Sequence, residues 1–309
     1  MSTFHAKLAK KLAGAGAVAA VGAAMWDTLP VARWRVQRVT SEPWEGVKLE
    51  PGSYQQNACL ESALDSHLRN KPVGLHILCA PRGSGKTATL AHVLRKARED
   101  GRVSGLLVLD HKTVRFPLWM RAMNAVAPAH MQDGGRTVDT AAAATLGSFH
   151  PVEKVLPQDS VVVIDDAENF SANDQHFKDR LYSLAKQGAQ GKNFKTFVVV
   201  HDPVLALELH AINAHNKVKL VKPQQSPTFA LPKPQCKALA SVLGRNRGMD
   251  AATLHKFTRD AVTSQTPGFV VENAEAYRAG TVPASLHDAA LTAGSQWRTW
   301  QEQVATWRD

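Results

Sequence analysis

The most constraining feature of this chain is a glycine-rich turn set between a buried apolar run and a helical pattern. Residues 74–80 (GLHILCA) are short, apolar and bounded by turn formers, which predicts a buried strand. The segment Ala80-Pro81-Arg82-Gly83-Ser84-Gly85-Lys86-Thr87 follows, and then Leu90, Val93, Leu94 and Ala97 recur at helical spacing until Gly101 stops the helix. Gly83 and Gly85 let the backbone curl so that successive N–H groups line one concavity. The helix that follows turns its unpaired amides and positive dipole end toward the same place. Such a concavity holds phosphate oxygens. With strand before and helix after, the pattern has the P-loop form, Ala80 standing where the first glycine usually is. A nucleoside triphosphate, ATP with Mg²⁺, is the expected ligand. Pro81, Arg82, Gly83, Ser84, Gly85, Lys86, Thr87 and Ala88 are expected to bind it, Lys86 reaching the β- and γ-phosphates and the Thr87 hydroxyl the metal.

A P-loop predicts an acidic residue at the end of a neighbouring buried strand, placed to hold the metal. The run Ser160 to Asp165 (SVVVID) with Asp166 supplies it. Asp165 is the metal-side candidate, and Asp166 the candidate to polarise the attacking water, with Glu168 as its fallback. His201, after the run Phe197 to His201 (FVVVH), is placed to contact the γ-phosphate or its water. Asp202 reads as a helix N-cap, because Pro203 follows at the first helical position. Arg245 and Arg247, in GRNRG, are candidates for an arginine finger or a phosphate contact.

A further apolar run, Gly105 to Asp110 (GLLVLD), completes a set of four strands, and Phe177, Leu181 and Leu184 mark a helix between the last two. Strands that are apolar throughout and alternate with helices predict a parallel sheet covered on both faces. Residues 125–158 are rich in Ala, Gly, Pro and Thr and read as a long, mobile insertion. Beyond residue 230 the pattern is helical, around Leu239, Val242 and Leu243, then Leu254 to Val262, then Val271 to Tyr277. Trp297, Trp300, Val304 and Trp307 share one helix face, which is expected to pack on its own protein, with partner docking as the alternative. The expected architecture is an α/β, three-layer sheet with a C-terminal helical domain. The divisions are 1–54 (basic segment and linker), 55–225 (core) and 226–309 (helical lid and final helix).

A net charge of +10 and a pI near 9.6 favour anionic partners: nucleotide, nucleic acid or a membrane surface. Lys217, Lys219, Lys222, Lys233, Lys237, Arg245 and Arg247 carry the nucleic-acid reading, although no aromatics interleave them. Lys7, Lys10 and Lys11 precede an Ala/Gly/Val run from Leu12 to Trp26, and Arg33, Arg35 and Arg38 follow. Residues 1–40 therefore read as a targeting or membrane-associated segment, with a frayed helical tail as the alternative. The expected location is intracellular, organellar or at a membrane. Cys59, Cys79 and Cys236 have neither disulfide nor zinc spacing, which fits a reducing compartment.

Taken in order, the helix before the loop, the strand entering APRGSGKT, the second strand, VVVIDDAEN, a further strand and a helical tail resemble the AAA+ and STAND-type P-loop ATPases. The resemblance covers residues 55–280 and implies an added strand between the P-loop strand and the metal-aspartate strand. It also implies a helical lid and ATP hydrolysis driving a nucleotide-state switch in an assembly or regulatory role, with a protein partner or self-association. The alternative is an ATP-dependent nucleic-acid-binding protein. Three positions depart from the family pattern. Asp166 stands in place of glutamate, which implies slow turnover; His201 stands in place of asparagine; and Thr263 to Phe269 keeps Pro267 but lacks the two glycines before it.

Overall fold

The computed structural model describes residues 44, 49–69, 74–109, 156–173, 177–189, 194–211, 218–223, 228–280 and 284–305. Residues 1–40, nearly all of the 125–158 insertion, Lys217 and Trp307 fall outside these, so the expectations placed on them stay as stated above. Among the described residues, no helix is long and apolar enough to cross a membrane.

The anticipated strands form as β1 (Leu75–Cys79), β2 (Gly105–Leu109), β3 (Ser160–Ile164) and β4 (Lys195–Val200). A fifth, β5 (Val218–Leu220), was not anticipated. Its middle residue, Lys219, is exposed between two buried neighbours, so the run reads in sequence as basic coil. All strands are parallel, in the order β2, β3, β4, β1, β5. β4 therefore lies between the P-loop strand and the acid-bearing strand. Ile77 is level with Val198, and Val198 with Ile164. β1 and β3 are buried along their whole length, as uniformly apolar strands with both faces covered must be.

Helices α1 (Ala58–Arg69) and α2 (Lys86–Glu99) flank β1 in the chain. Two helices, α3 (Ala167–Asn173) and α4 (Phe177–Ala189), fill the space where one was expected, and α5 (Pro203–Ala211) follows β4. Short polar side chains start several of these helices. Asn57 Oδ1 accepts from Leu60 N at 3.2 Å ahead of α1, and Asp202 Oδ1 from Val204 N at 2.8 Å ahead of α5, as the Asp-Pro pair predicts.

The helical tail comprises α6 (Lys233–Asn246), α7 (Ala251–Ser264), α8 (Pro267–Arg278) and α9 (Ala284–Ala305). It has its own core, with Leu239, Leu243, Phe257, Val270 and Tyr277 at its centre. A buried carboxylate ties three of its helices. Asp260 is 1% exposed and accepts from Tyr277 Oη at 2.6 Å, while its other oxygen lies 2.9 Å from His287 Nδ1 and 3.1 Å from Arg259 Nε. Burial pushes this carboxyl up, and these three hydrogen bonds overcome that and hold it below the ordinary aspartate range. Helix α9 belongs to two cores at once. Ala290 packs within the tail, whereas Trp297 and Trp300 are buried in the core of the sheet. Trp297, Trp300 and Val304 of the stripe thus pack on their own protein.

Candidate functional site

The loop after β1 is built as its glycines require. Gly83 and Gly85 adopt φ of 73° and 85°, a left-handed backbone that disfavours a Cβ. Ala80 N donates to Val200 O at 3.3 Å, fixing the root of the loop to β4. The first internal bond of α2 runs from Thr89 N to Gly85 O at 2.9 Å, which leaves the amides of Lys86, Thr87 and Ala88 without helical acceptors. Ser84 Oγ is buried and has no hydrogen-bond partner among the described residues. A phosphate seated on the loop would satisfy these donors.

Lys86 is buried, its ammonium donating to Ala80 O at 2.6 Å and Pro81 O at 3.0 Å. Burial pulls it down to about 8. The charges of Glu168, Asp165 and Asp166 act against that fall, so three carboxylates face one ammonium at the loop mouth. Such an excess of negative charge repels a polyphosphate unless a cation accompanies it. The Thr87 hydroxyl lies 3.2 and 3.1 Å from the two carboxylate oxygens of Asp165, at the end of β3. A hydroxyl beside a carboxylate offers the oxygen donors that Mg²⁺ takes, so the residues present fit a magnesium–nucleotide pair.

Asp166 follows in a left-handed conformation, φ 57°, at the turn into α3. Asp166, Glu168 and His201 each place a polar atom within 4.8 Å of the others. Glu168 has a defined structural role. Its Oε1 accepts from the backbone amides of His201 and of Asp202 (2.9 Å), and its Oε2 lies 3.2 Å from His201 Nδ1. It thereby fastens the end of β4 to the start of α3. The structure brings Lys86, Thr87, Asp165, Asp166, Glu168 and His201 together at the carboxyl ends of β1, β3 and β4.

Beside the loop lies an open cleft. Ser84, Gly85, Ala88 and Thr89 line it from the loop and α2, and Leu49, Tyr54 and Asn57 from the segment before α1. Pro267 and Val271 of α8 line it too, with Leu231 and Leu239. The N-terminus of α8 touches the loop itself, Gly268 N donating to Gly83 O at 2.7 Å.

No protein-family model and no curated protein sequence matches the chain. Among solved structures it is similar to a Walker-type ATPase of Pyrococcus abyssi, at 14% identity with a TM-score of 0.50, covering 84% of this chain and 78% of that one. The fold is that of a P-loop NTPase. Domain III of the Thermotoga maritima replication initiation protein DnaA aligns at 11% identity with a TM-score of 0.41, over 80% of this chain and 98% of that one. A RuvB mutant of Thermotoga maritima aligns at 14% identity with a TM-score of 0.41, over 76% of this chain and 69% of that one.

The remaining candidates are dispersed. Arg247 is committed elsewhere: its guanidinium grips both oxygens of Glu50, at 3.1 and 2.5 Å, and its Nε lies 3.5 Å from Glu275. It braces the tail against the segment before α1, which removes it as a free arginine finger. Arg245 is exposed and donates back to Ser241 O at 3.2 Å. Lys219 sits on the edge strand, and Lys233 and Lys237 are exposed on α6. Sequence reasoning missed Tyr54 and Asn57, and it placed Thr266 and Gly268 in the lid turn without giving either a contact to the loop. Gly268 carried a signal, being a glycine in the first turn of a helix, where it weakens the helix without serving a local turn.

Proposed function

We propose that the chain is a magnesium-dependent ATPase whose helical tail responds to the nucleotide state. The observation that carries this reading is the Thr87–Asp165 contact at the mouth of the loop. It joins a hydroxyl from the P-loop helix to the acid of a strand two places away in the sheet.

The amides of residues 86–88 and Ser84 Oγ cradle the phosphates, and Lys86 leaves the carbonyls of Ala80 and Pro81 to meet the β- and γ-oxygens. Thr87 and Asp165 would hold Mg²⁺, and the ion would neutralise charge on the phosphate oxygens. Asp166 orients the attacking water and takes its proton. His201 donates to the γ-phosphate or to that water. Glu168 is already committed to the amides of His201 and Asp202, so it acts through His201 as a positioning residue. Because Pro267 and Val271 line the cleft, ligand occupancy is coupled to the placement of α8, which supports a switch.

The test is ATP binding and hydrolysis with and without Mg²⁺, in the parent chain and in Lys86→Ala and Asp165→Asn. The proposal expects the first variant to lose binding and the second to lose magnesium-dependent turnover. A Lys86→Ala chain that binds ATP as tightly as the parent refutes it.

A further inference from the structure

Two buried tryptophans of α9 connect the tail side of the site to its sheet side. On the tail side, Trp297 Nε1 donates to Thr266 Oγ1 at 3.0 Å. Thr266 is the residue immediately before α8, and its methyl lies 3.2 Å from the point where a Cβ on Gly83 would stand. Two residues on, Gly268 N donates to Gly83 O. On the sheet side, Trp300 packs against Phe229, with ring centres 5.8 Å apart, beside Cys79, the last residue of β1. The carbonyl of Phe229 in turn accepts from Asn57 Nδ2 at 2.8 Å, and Asn57 lines the cleft. The indoles meet edge to face, 5.9 Å between centres, and both are at least 96% buried (4% and 2% exposed).

We propose that Trp297 and Trp300 are positioning residues of the nucleotide site, and that α9 sets nucleotide affinity by strapping α8 onto the loop. This rests on the reading of the loop as an ATP site. Binding requires the tail-side wall (Pro267, Val271) and the sheet-side wall (Asn57) to stand at a fixed separation. Helix α9 sets that separation, being the one element with side chains in both cores among the described residues. Loosening the Trp297–Thr266 bond frees α8 to move off Gly83, so bound nucleotide escapes faster while the reacting groups on β3 and β4 stay in place.

The experiment measures dissociation constants for a fluorescent ATP analogue, the turnover rate at saturating ATP, and thermal melting. The chains compared are the parent, Trp297→Phe, Thr266→Val, their double variant, and Thr266→Ser. Removal of one buried hydrogen bond is expected to raise the dissociation constant about tenfold in either single variant. Thr266→Val also removes the bond from Thr266 Oγ1 to Ser264 O, so the double variant is expected to match Thr266→Val, which has already lost the bond that Trp297→Phe deletes. Thr266→Ser, which keeps the acceptor, restores parental affinity, and turnover at saturation changes less than about twofold. Additive effects, unchanged dissociation constants, or a Thr266→Ser chain as weak as Thr266→Val overturn the proposal. If Trp297→Phe fails to melt cooperatively, the two Thr266 variants decide it alone. A parent chain that binds no ATP overturns the site reading itself, and that result is distinct from intact binding with unaltered variants.

Discussion

Replacing Gly268 with alanine tests how closely the tail must approach the loop. A Cβ built there falls 2.6 Å from Gly83 Cα, 2.9 Å from its carbonyl oxygen and 3.2 Å from its carbonyl carbon. All three are backbone atoms, so no side chain can swing aside. Ordinary carbon contacts need about 3.5–4.0 Å, so the two segments must part by roughly 1 Å. The Gly268 N to Gly83 O bond, now 2.7 Å, then stretches past the hydrogen-bonding range. Loss of that bond costs about 1 kcal/mol and the overpacking about 1–3 kcal/mol, so docking weakens by about 2–4 kcal/mol. Because α8 lines the cleft and the tail keeps its own core, the loss is expected mainly in ATP affinity, at least tenfold by calorimetric titration. Gly280→Ala is the control for backbone strain alone: its φ of 68° disfavours alanine but its added methyl meets nothing within 4 Å, so it lowers stability and leaves ATP affinity unchanged. A Gly268→Ala chain that binds ATP like the parent refutes the claim that α8 must touch the loop.

Asp166→Asn is expected to retain ATP but hydrolyse it about 10²-fold more slowly, the lower end for loss of a general base, in a steady-state phosphate-release assay. If Glu168→Gln reduces turnover more than Asp166→Asn does, the two carboxylates have been assigned in the wrong order. Burial, together with Lys195 and Lys219, holds His67 down at about 4 from its usual 6.5. Unfolding therefore takes up a proton between these values, so this stability is complete above pH 6.5 and lost as pH falls toward 4. At about 1.4 kcal/mol per unit, reduced for partial exposure, roughly 2 kcal/mol is at stake, and denaturant melts of parent and His67→Gln at pH 7.5 and 4.5 measure it. Asp260→Ala removes the shared acceptor of Tyr277, His287 and Arg259 and is expected to destabilise the tail by about 3 kcal/mol, read from chemical denaturation.

The loop and the acid strand were legible because their chemistry is local. Phosphate cradling needs Gly83, Gly85, Lys86 and Thr87 at fixed offsets, and a strand buried on both faces needs an unbroken run such as Val161 to Ile164. The strand between them was legible from the resemblance, and β4 occupies that place. What sequence could not show is contact between distant segments. β5 is three residues long with an exposed lysine at its centre, so pairing with β1 decides its conformation. The resemblance put the Thr263–Phe269 turn in the lid, but it did not give the backbone contact between Gly268 and Gly83. The tryptophan stripe was visible as a helix face, but it gave no clue that its target is the sheet core. Arg247 looked like a phosphate ligand until Glu50, far earlier in the chain, claimed it.

The two buried indoles of α9 also bear on how the molecule is made. Strand β1 and its loop leave the ribosome early, yet the Trp300 ring that closes the core beside Cys79 and Phe229 is supplied only after the whole helical tail has been synthesised. Contacts so far apart in sequence form slowly and leave apolar surface uncovered in the meantime. The nascent chain must therefore carry that part of the sheet's core uncovered from the emergence of β1 until that of α9, and its dependence on chaperones should be greatest just before α9 emerges.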